Sequence, residues 1–546
     1  METADYMKYD PEDFKKIALE PYSSKANKKR SRQIVVNKEG PNGEVPEILA
    51  NTRTIPGILT MRGCCYAGCH GVVLGPTRDI LQVVHGAIGC SYYTWGTRRN
   101  KTRAELPGEQ NFMPYMFSTD LQEDEIVFGG EKKLKLAVEE AVQIFHPKAV
   151  AIFSTCPVGL IGDDVHKVAR DIEEEFPGVN CFAFSCEGYK GVSQSSGHHI
   201  ANNKIFTDII GQEEDHREGK YRFNILGEYN IGGDEFEMER IAEKMGLTIQ
   251  SSMSGNSSYE SMASCQTADL NVVMCHRSIN YIAEMLETKY GIPWFKVEFI
   301  GAKATATSFR KIADYFGDEK LKQRVEEVIA EEMVEVEKER AKAYEICKGK
   351  TVALFVGGSR AHHYQNLFKE IGMNIVAAGY EFAHRDDYEG RRVIPDIVLD
   401  ADGRNIEQLT IKADEKEFKP RKTEAEMEKL RADGIEFEDY KGMMKDMPSK
   451  TLIIDDLNHH ELELLIEKYH PDIVGAGIKE KYVVQKHGIP MKQLHSYDYS
   501  GPYAAFKGAI NFYREISRLL QQTPPKLSQA PWKKNPELIG AFNYTE

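Results

Sequence analysis

Eight short runs of β-branched and apolar residues recur along this chain, with charged, helix-patterned stretches between them. They are "KAVAIFST" (148–155), "NCFAFSC" (180–186), "RFNILGEYN" (222–230), "LNVVMCH" (270–276), "TVALFVGG" (351–358), "MNIVAAGYEF" (373–382), "TLIIDD" (451–456) and "DIVGAGI" (472–478). The intervening segments include "KKLKLAVEEAVQIF" (132–145) and the Glu/Lys-rich "DEKLKQRVEEVIAEEMVEVEKERAKAYEI" (318–346). Strands buried on both faces read as continuous apolar runs, and their alternation with amphipathic helices is the signature of βαβ units in parallel sheets. The expectation is an α/β protein of several doubly wound domains. At 546 residues the chain has room for about three of them. Polar breaks near "GQEEDHREGKY" (211–221) and "CKGKT" (347–351) mark the boundaries.

Composition excludes several classes. A formal charge of −14 offers no broad basic face for nucleic acid. The basic run "SSKANKKRSRQ" (23–33) reads as a solvated tail. No stretch reaches the length of a membrane span, and the acidic start lacks a signal peptide's apolar core, so a cytoplasmic protein is expected. Ten cysteines in such a chain suggest thiols or metal ligands in preference to disulfides. The chain lacks a G-x4-GK[ST] phosphate loop, a G-x-S-x-G elbow and an HExxH pair, which removes the common hydrolase mechanisms.

In open parallel sheets, ligands bind beyond the carboxyl ends of the strands. Cys156 follows "AIFST", Cys275 follows "NVVM", "GGSR" (357–360) follows "ALFV" and Lys479 follows "VGAGI". Taken singly, each such cysteine is a small buried hydrophobe. Taken together, the four strand ends point to a site. Scattered thiolates without a paired zinc knuckle favour an iron–sulfur centre. "RGCCYAGCHGVV" (62–73) adds Cys64, Cys65 and Cys69 in a spacing that fits no zinc finger. The adjacent histidines of "GHHI" (197–200) cannot share one helix face, and His495 sits in an aromatic loop where simple packing is the ordinary role.

"RGC", "HGAIGC", "STCPVGLIGDD", "CEGYKGVSQSSGHHIAN", "GEYNIGGD", "CHRSINYI", "KYGIPW", "YEFAHRDDY", "GIKEKY" and "LHSYDYSGPY" follow one another in order. With these motifs the chain resembles the alpha chains of the nitrogenase molybdenum-iron protein, from about residue 51 to 533. The resemblance implies three doubly wound, Rossmann-like domains with metal clusters between and beneath them. An N-terminal extension (1–50) would precede domains at 51–218, 219–348 and 349–495, and residues 496–546 would pack back on the first. It also implies an α2β2 heterotetramer with a beta chain, and transient docking of an ATP-carrying iron protein that delivers electrons. The reaction is reduction of dinitrogen to ammonia with hydrogen evolution.

The site residues follow by register. Cys64, Cys90 and Cys156 would supply half the ligands of an 8Fe-7S P-cluster shared with the beta chain. Cys65 and Cys69 receive no ligand role, although a small backbone shift would let Cys65 stand in for Cys64. Cys275 and His495 would ligate the iron–molybdenum cofactor (7Fe-Mo-9S-C). Arg98, Arg277 and Arg360 would set positive charge beside it, and Gly357 and Gly358 would let backbone N–H groups approach sulfide. Lys479 and Gln194 would neighbour homocitrate. Val72, His198 and Phe382 would line the face where substrate is reduced, together with Arg98 and Gln194. His198, in a loop, would donate a hydrogen bond to a sulfide and relay protons, while His199 would point elsewhere.

Three rivals share the fold: a vanadium or iron-only alpha chain, a non-catalytic cofactor-assembly scaffold, and a protochlorophyllide reductase. "STCPVGL", "CHRSINYI" and "YEFAHRDDY" follow the molybdenum-type pattern, and the joint presence of Val72, Gln194, His198, Cys275 and His495 favours the enzyme. The stretch from about 389 to 447 interrupts the third domain and reads as a charged surface insertion, the alternative being a docking element.

Overall fold

The structure, a computed structural model, describes residues 6–39, 43–103, 108–191, 193–214, 218–275, 277–357, 360–391 and 407–522; the side chains of Arg277 and Ser278 lie outside that description. Three sheets form the frame. The first runs Phe117–Ser118, Ile80–His85, Ala149–Ser154, Asn180–Phe184, all parallel. The second runs Thr248–Ser254, Arg222–Glu228, Leu270–Val273, Trp294–Lys296, again parallel. The third has six strands in the order Ile34–Val36, Leu452–Ile454, Asn374–Gly379, Thr351–Phe355, Ile473–Ala476, Met491–Gln493. All its pairings are parallel except that of Ile34–Val36 with Leu452–Ile454.

All eight apolar runs contain strands, and the two helical patterns form Glu131–Phe145 and the 29-residue Glu319–Cys347. Strands such as "AVAIFS" are buried at every position because helices cover both faces of the sheet. Asp318 starts the long helix by accepting from the N–H groups of Lys320 and Leu321 at 2.8 and 3.1 Å. Among the described residues no helix is long and apolar enough to cross a membrane.

Three expectations need correction. The basic run at 23–33 is no solvated tail: Ser24–Arg30 is a helix, and Arg30 is 3% exposed. Its Nε donates to Glu461 and its Nη1 to the Asp455 carbonyl, both at 2.7 Å. Strand Ile34–Val36 then joins the third sheet, so the N-terminal segment is part of that unit. At the other end, helix Ala505–Gln521 packs against helices Glu319–Cys347, Asp234–Met245 and Ala302–Phe316 of the second unit, not on the first. Its apolar face, with Phe506, Phe512 and Ile516, continues the core of that unit. Residues 523–546 lie outside the described residues.

The insertion is also more than a charged surface loop, though 392–406 lie outside the described residues. Met443, Met444 and Met447 are buried, and the Asn37 side-chain amide donates to the Met447 carbonyl at 2.9 Å. Phe437 stacks edge-on with Phe295 and Tyr315. Arg421 donates to the carbonyls of Gln266, Ala268 and Tyr290, and the Asn203 amide to that of Glu407. Charged residues occupy its outer side, while buried methionines, an aromatic and backbone-directed arginine bonds stitch it across all three units.

Candidate functional site

The carboxyl ends of the strands converge on one cavity of about 230 Å³. Cys275 lies two residues beyond Leu270–Val273, Gly357 two beyond Thr351–Phe355, Glu381 two beyond Asn374–Gly379 and His495 two beyond Met491–Gln493. Gly477 and Tyr229 follow their strands directly. The first unit supplies the remaining wall from residues 61–72, 94–100 and 194–198. All three units therefore share the cavity, as strand-end sites of α/β sheets require.

Two elements of the first unit form that wall. Residues Ala67–Leu74 are a π-helix, whose wide turn is uncommon and recurs at functional sites. It brings Ala67, Gly71 and Val72 to the cavity, while its Cys69 and, in the turn just before it, Cys65 are completely buried. It lies against helix Gln194–Lys204, so His198 is helical, not in a loop. The two backbones touch: a Cβ on Gly68 would fall 2.0 Å from the Gln194 carbonyl oxygen, and one on Gly197 2.0 Å from that of Cys65. The Gln194 side chain accepts from the Gly63 N–H at 3.0 Å, which fixes its amide on the wall.

His198 meets Phe382 edge-on, ring centroids 5.5 Å apart. Burial, then the charge of Arg99, hold its imidazole down to about 3, so it is neutral. His199 turns the other way, against Tyr281 and His384. His495 accepts from the Gly357 N–H through Nε2 at 2.9 Å, with Glu381 Oε1 at 3.4 Å. Burial first, then Arg99, Lys479 and Arg360, push its pKa well below the ordinary value. Arg360 is locked by Glu228 at 3.2 Å, Asp234 at 3.1 Å and the Tyr497 hydroxyl at 2.7 Å. Burial lifts Glu228 to about 7 against the pull of that arginine. Lys479 donates to the Met61 carbonyl.

Of the expected cofactor residues, Val72, Gln194, His198, Cys275, Gly357, Arg360, Phe382, Lys479 and His495 all line the cavity. Arg98 does not: it lies beside Tyr66 and His70, and Arg99 takes the wall position. The Arg277 side chain and Gly358 lie outside the described residues. Sequence reasoning missed Arg99, Tyr229, Glu381 and Glu480. Glu381 and Glu480 stood inside quoted motifs, each next to a chosen residue, and that adjacency was the available signal.

The donor set fits a large anionic metal–sulfur cluster carrying an organic acid. A thiol and a neutral imidazole enter one cavity from different units, with cationic Arg99, Arg360 and Lys479 around them. Among the described residues, neither side-chain oxygen of Glu480 has a hydrogen-bond partner, nor does Nε of Arg99, although all are buried. Burial lifts Glu480 to about 7, a carboxyl able to donate to a ligand oxygen. A Cβ on Gly357 would sit 2.4 Å from the Phe382 ring and 3.4 Å from His495 Nε2, so only glycine leaves that wall open.

A second cluster lies at the surface. The Gly188 N–H donates to Cys156 Sγ at 3.2 Å, and a Cβ there would stand 3.0 Å from Cys156 Sγ and 3.6 Å from Cys64 Sγ. Burial, then Cys64 and Cys156, push the Cys90 thiol up. Exposed apolar side chains surround the trio, among them Ile88, Tyr92, Tyr93, Leu160 and Tyr189. Cys65, Cys69 and Cys186 form a separate group in the core, with Cys69 Sγ donating to the Gly197 carbonyl at 3.0 Å and Cys186 Sγ to that of Ser154 at 3.3 Å.

Residues 64–521 match the family model described as nitrogenase component 1 type oxidoreductase, and the chain belongs to that family. Within it, the chain is 52% identical over 524 residues to the nitrogenase molybdenum-iron protein alpha chain of Clostridium pasteurianum, covering 96% of this chain and 97% of that one. It is 48% identical to the alpha chain of Methanosarcina barkeri over 94% of this chain and 96% of that one. A solved structure titled "Nitrogenase Cp1 at pH 6.5" superposes with a TM-score of 0.91 at 51% identity, over 95% of this chain and all of that one. The function is that of a molybdenum-iron nitrogenase alpha chain, an oxidoreductase of nitrogen fixation, and the rival readings give way. Membership of this family implies metal clusters.

Proposed function

We propose that the cavity holds the iron–molybdenum cofactor with homocitrate, ligated by Cys275 and His495, and that Cys64, Cys90 and Cys156 supply this chain's half of the P-cluster. The observation that carries this reading is the meeting of a thiol and a neutral imidazole from two units in one strand-end cavity. The cofactor, when bound, supplies the iron sites at which dinitrogen takes up electrons and protons. The chain's own residues hold and tune it, because two ligands alone cannot. Arg360 and Arg99 balance negative charge; Arg360 cannot swing away, since Glu228, Asp234 and Tyr497 hold its guanidinium. Gln194 and Lys479 face the homocitrate side, with Glu381 and Glu480 as further polar contacts. Val72 and Phe382 restrict access and exclude water, and Phe382 fixes the His198 ring edge-on. His198, neutral, would offer one N–H to the sulfide of the bound cofactor and would serve to pass a proton. The Arg277 side chain, at the start of helix Arg277–Tyr290, and Gly358 keep their expected roles as part of this proposal.

The apolar surface around Cys64, Cys90 and Cys156 is of the kind that marks a protein interface. It supports pairing with a beta chain that completes the ligand set, in an α2β2 tetramer that receives electrons from the ATP-carrying iron protein. We place the assembly in the cytoplasm, with neither nucleic acid nor membrane as partner. Metal analysis and low-temperature magnetic spectroscopy of the purified tetramer test this reading. Cys275→Ala and His495→Ala are expected to assemble without stably bound cofactor, and full molybdenum occupancy in either would overturn the ligand assignment.

A further inference from the structure

Behind the cofactor cavity lies a second one, of about 650 Å³, between the second unit, the third unit and the insertion. The two share a wall at residues 274–275. The Cys275 side chain lines the first cavity, while its carbonyl accepts from Nζ of Lys296, which lines the second. Lys296 is placed by register: it ends strand Trp294–Lys296 and pairs with Val273, the last residue of the strand that delivers Cys275. From there its side chain reaches back over the strand end. On the far side Cys275 is fixed against Gly227, where a Cβ would come within 2.4 Å of the Cys275 Cβ.

The ammonium has an unusual environment. No carboxylate among the described residues comes within ion-pairing distance of it. A carbonyl and the face of Tyr440, whose ring centroid is 4.7 Å away, are its contacts. Asp387 and Asp386 are acids whose charge influences it, and both are engaged: Tyr440 OH donates to Asp386 at 2.9 Å, and the His384 N–H to Asp387 at 2.8 Å. A desolvated cation without a counter-charge is costly, so the compensating charge should be nearby. The group it touches is the Cys275 carbonyl. With Cys275 as the cofactor ligand, the counter-charge would be its thiolate and the anion that thiolate holds.

We propose that Lys296 is the positioning residue of the Cys275 cluster ligand, holding its carbonyl from behind and fixing a positive charge there, and that Tyr440 of the inserted segment keeps Lys296 in place. This rests on Cys275 being the cofactor ligand. It gives the insertion a task inside the molecule, as one wall of the site's support. Hydrogen bonding and net charge around an iron–sulfur centre set its reduction potential, so the effect should be visible in the cofactor itself. The ring of Tyr440 acts by cation–π attraction, its hydroxyl only by anchoring the ring.

The test uses the complete tetramer, with magnetic spectra, midpoint potential and molybdenum content of the cofactor as readouts. Lys296→Met is expected to bind cofactor with an altered spectrum and a midpoint potential shifted to lower values, and Lys296→Arg to restore most of the wild-type signature. Tyr440→Leu should shift both in the same direction by less, and Tyr440→Phe should stay near wild type. Lys303→Met removes a charge from the same cavity without touching Cys275 and should leave both unchanged. A wild-type spectrum and potential in Lys296→Met at full occupancy would overturn the proposal, as would an equal shift in Lys303→Met. If Lys296→Met loses the cofactor, an unshifted Tyr440→Leu together with an Arg variant that fails to restore occupancy also rejects it. Wild-type tetramer without any such cluster would instead sink the underlying cofactor reading.

Discussion

At the residue scale, the contrast between His198 and His199 would, under the proposed function, separate using the cofactor from packing around it. His198 shares the cavity with Phe382, whereas His199 packs on Tyr281 and His384 outside it. An amide can donate a hydrogen bond but cannot titrate. His198→Gln is therefore expected to keep normal molybdenum content and to divert electrons from ammonia to hydrogen, measured as product ratios at constant electron flux. A His199 variant should lower both products alike, and selective loss of ammonia there would reverse the assignment. The cysteine doublet gives a second prediction. Cys64 faces outward near Cys156, while Cys65 is fully buried in the core. Cys64→Ala should remove the P-cluster signal and weaken the tetramer, and Cys65→Ala should cost only packing, about 1 kcal/mol in stability. Spectroscopy with sizing of the tetramer checks both. That nine of the expected residues line one cavity could be read from motif register because each sits at a strand end or on a helix facing one. Arg98 could not, since "RR" differs by one position between a cavity wall and a pocket beside Tyr66. Glu381 and Glu480 escaped because an acidic residue in an anion site looks unsuitable until burial is seen to lift its pKa.

At the element scale, the insertion reveals what charge pattern alone conceals. Its sequence is dominated by Lys, Glu and Asp, yet its anchors are a few methionines, Phe437, Tyr440 and Arg421. Periodicity could not show this, because the described part of the segment has one short α-helix, Glu424–Ala432, and makes its contacts with residues far off in sequence. The polar strand Thr248–Ser254 was missed for a related reason: "TIQSSMS" carries no apolar run, although all but its first residue are buried. The seam between the insertion and helix Arg277–Tyr290 has a pH signature. Burial, then Glu438 of the insertion and Glu284, push Glu287 up to about 8. Between the ordinary glutamate pKa and that value, the folded chain keeps a proton that the unfolded chain has released. Stability should therefore fall as pH rises through this window, by roughly 1–3 kcal/mol. Thermal unfolding of the tetramer at pH 5 and pH 8 should show a smaller loss for Glu287→Gln than for wild type. Equal losses would show that Glu287 carries no such strain.

At the scale of the whole molecule, three sheets aim their strand ends at one cavity, and the proposed cofactor would in effect be the core they share. Removing it should loosen those ends first. Cofactor-free tetramer is expected to exchange backbone hydrogens faster at 355–357, 381–382, 477–480 and 495–499, with the centres of the sheets unchanged. Uniform exchange across the chain would show that the units fold independently of what they hold. The parallel architecture was readable from eight apolar runs, whereas the attachment of both termini was not, because Ile34–Val36 and helix Ala505–Gln521 pair with elements hundreds of residues away. The crossing of the π-helix and the 194–204 helix has a last consequence. Where glycine meets carbonyl with no side chain between, the two backbones leave each other little room to shift, which should hold the span from Cys64 to Val72 at a constant length. Tunnelling falls exponentially with separation, so if the proposed clusters sit at Cys64 and in the cavity, electron passage between them should be nearly indifferent to solvent viscosity. Timing must then be imposed from outside the span, by whatever docks beside Cys64 or by protons arriving at the cavity.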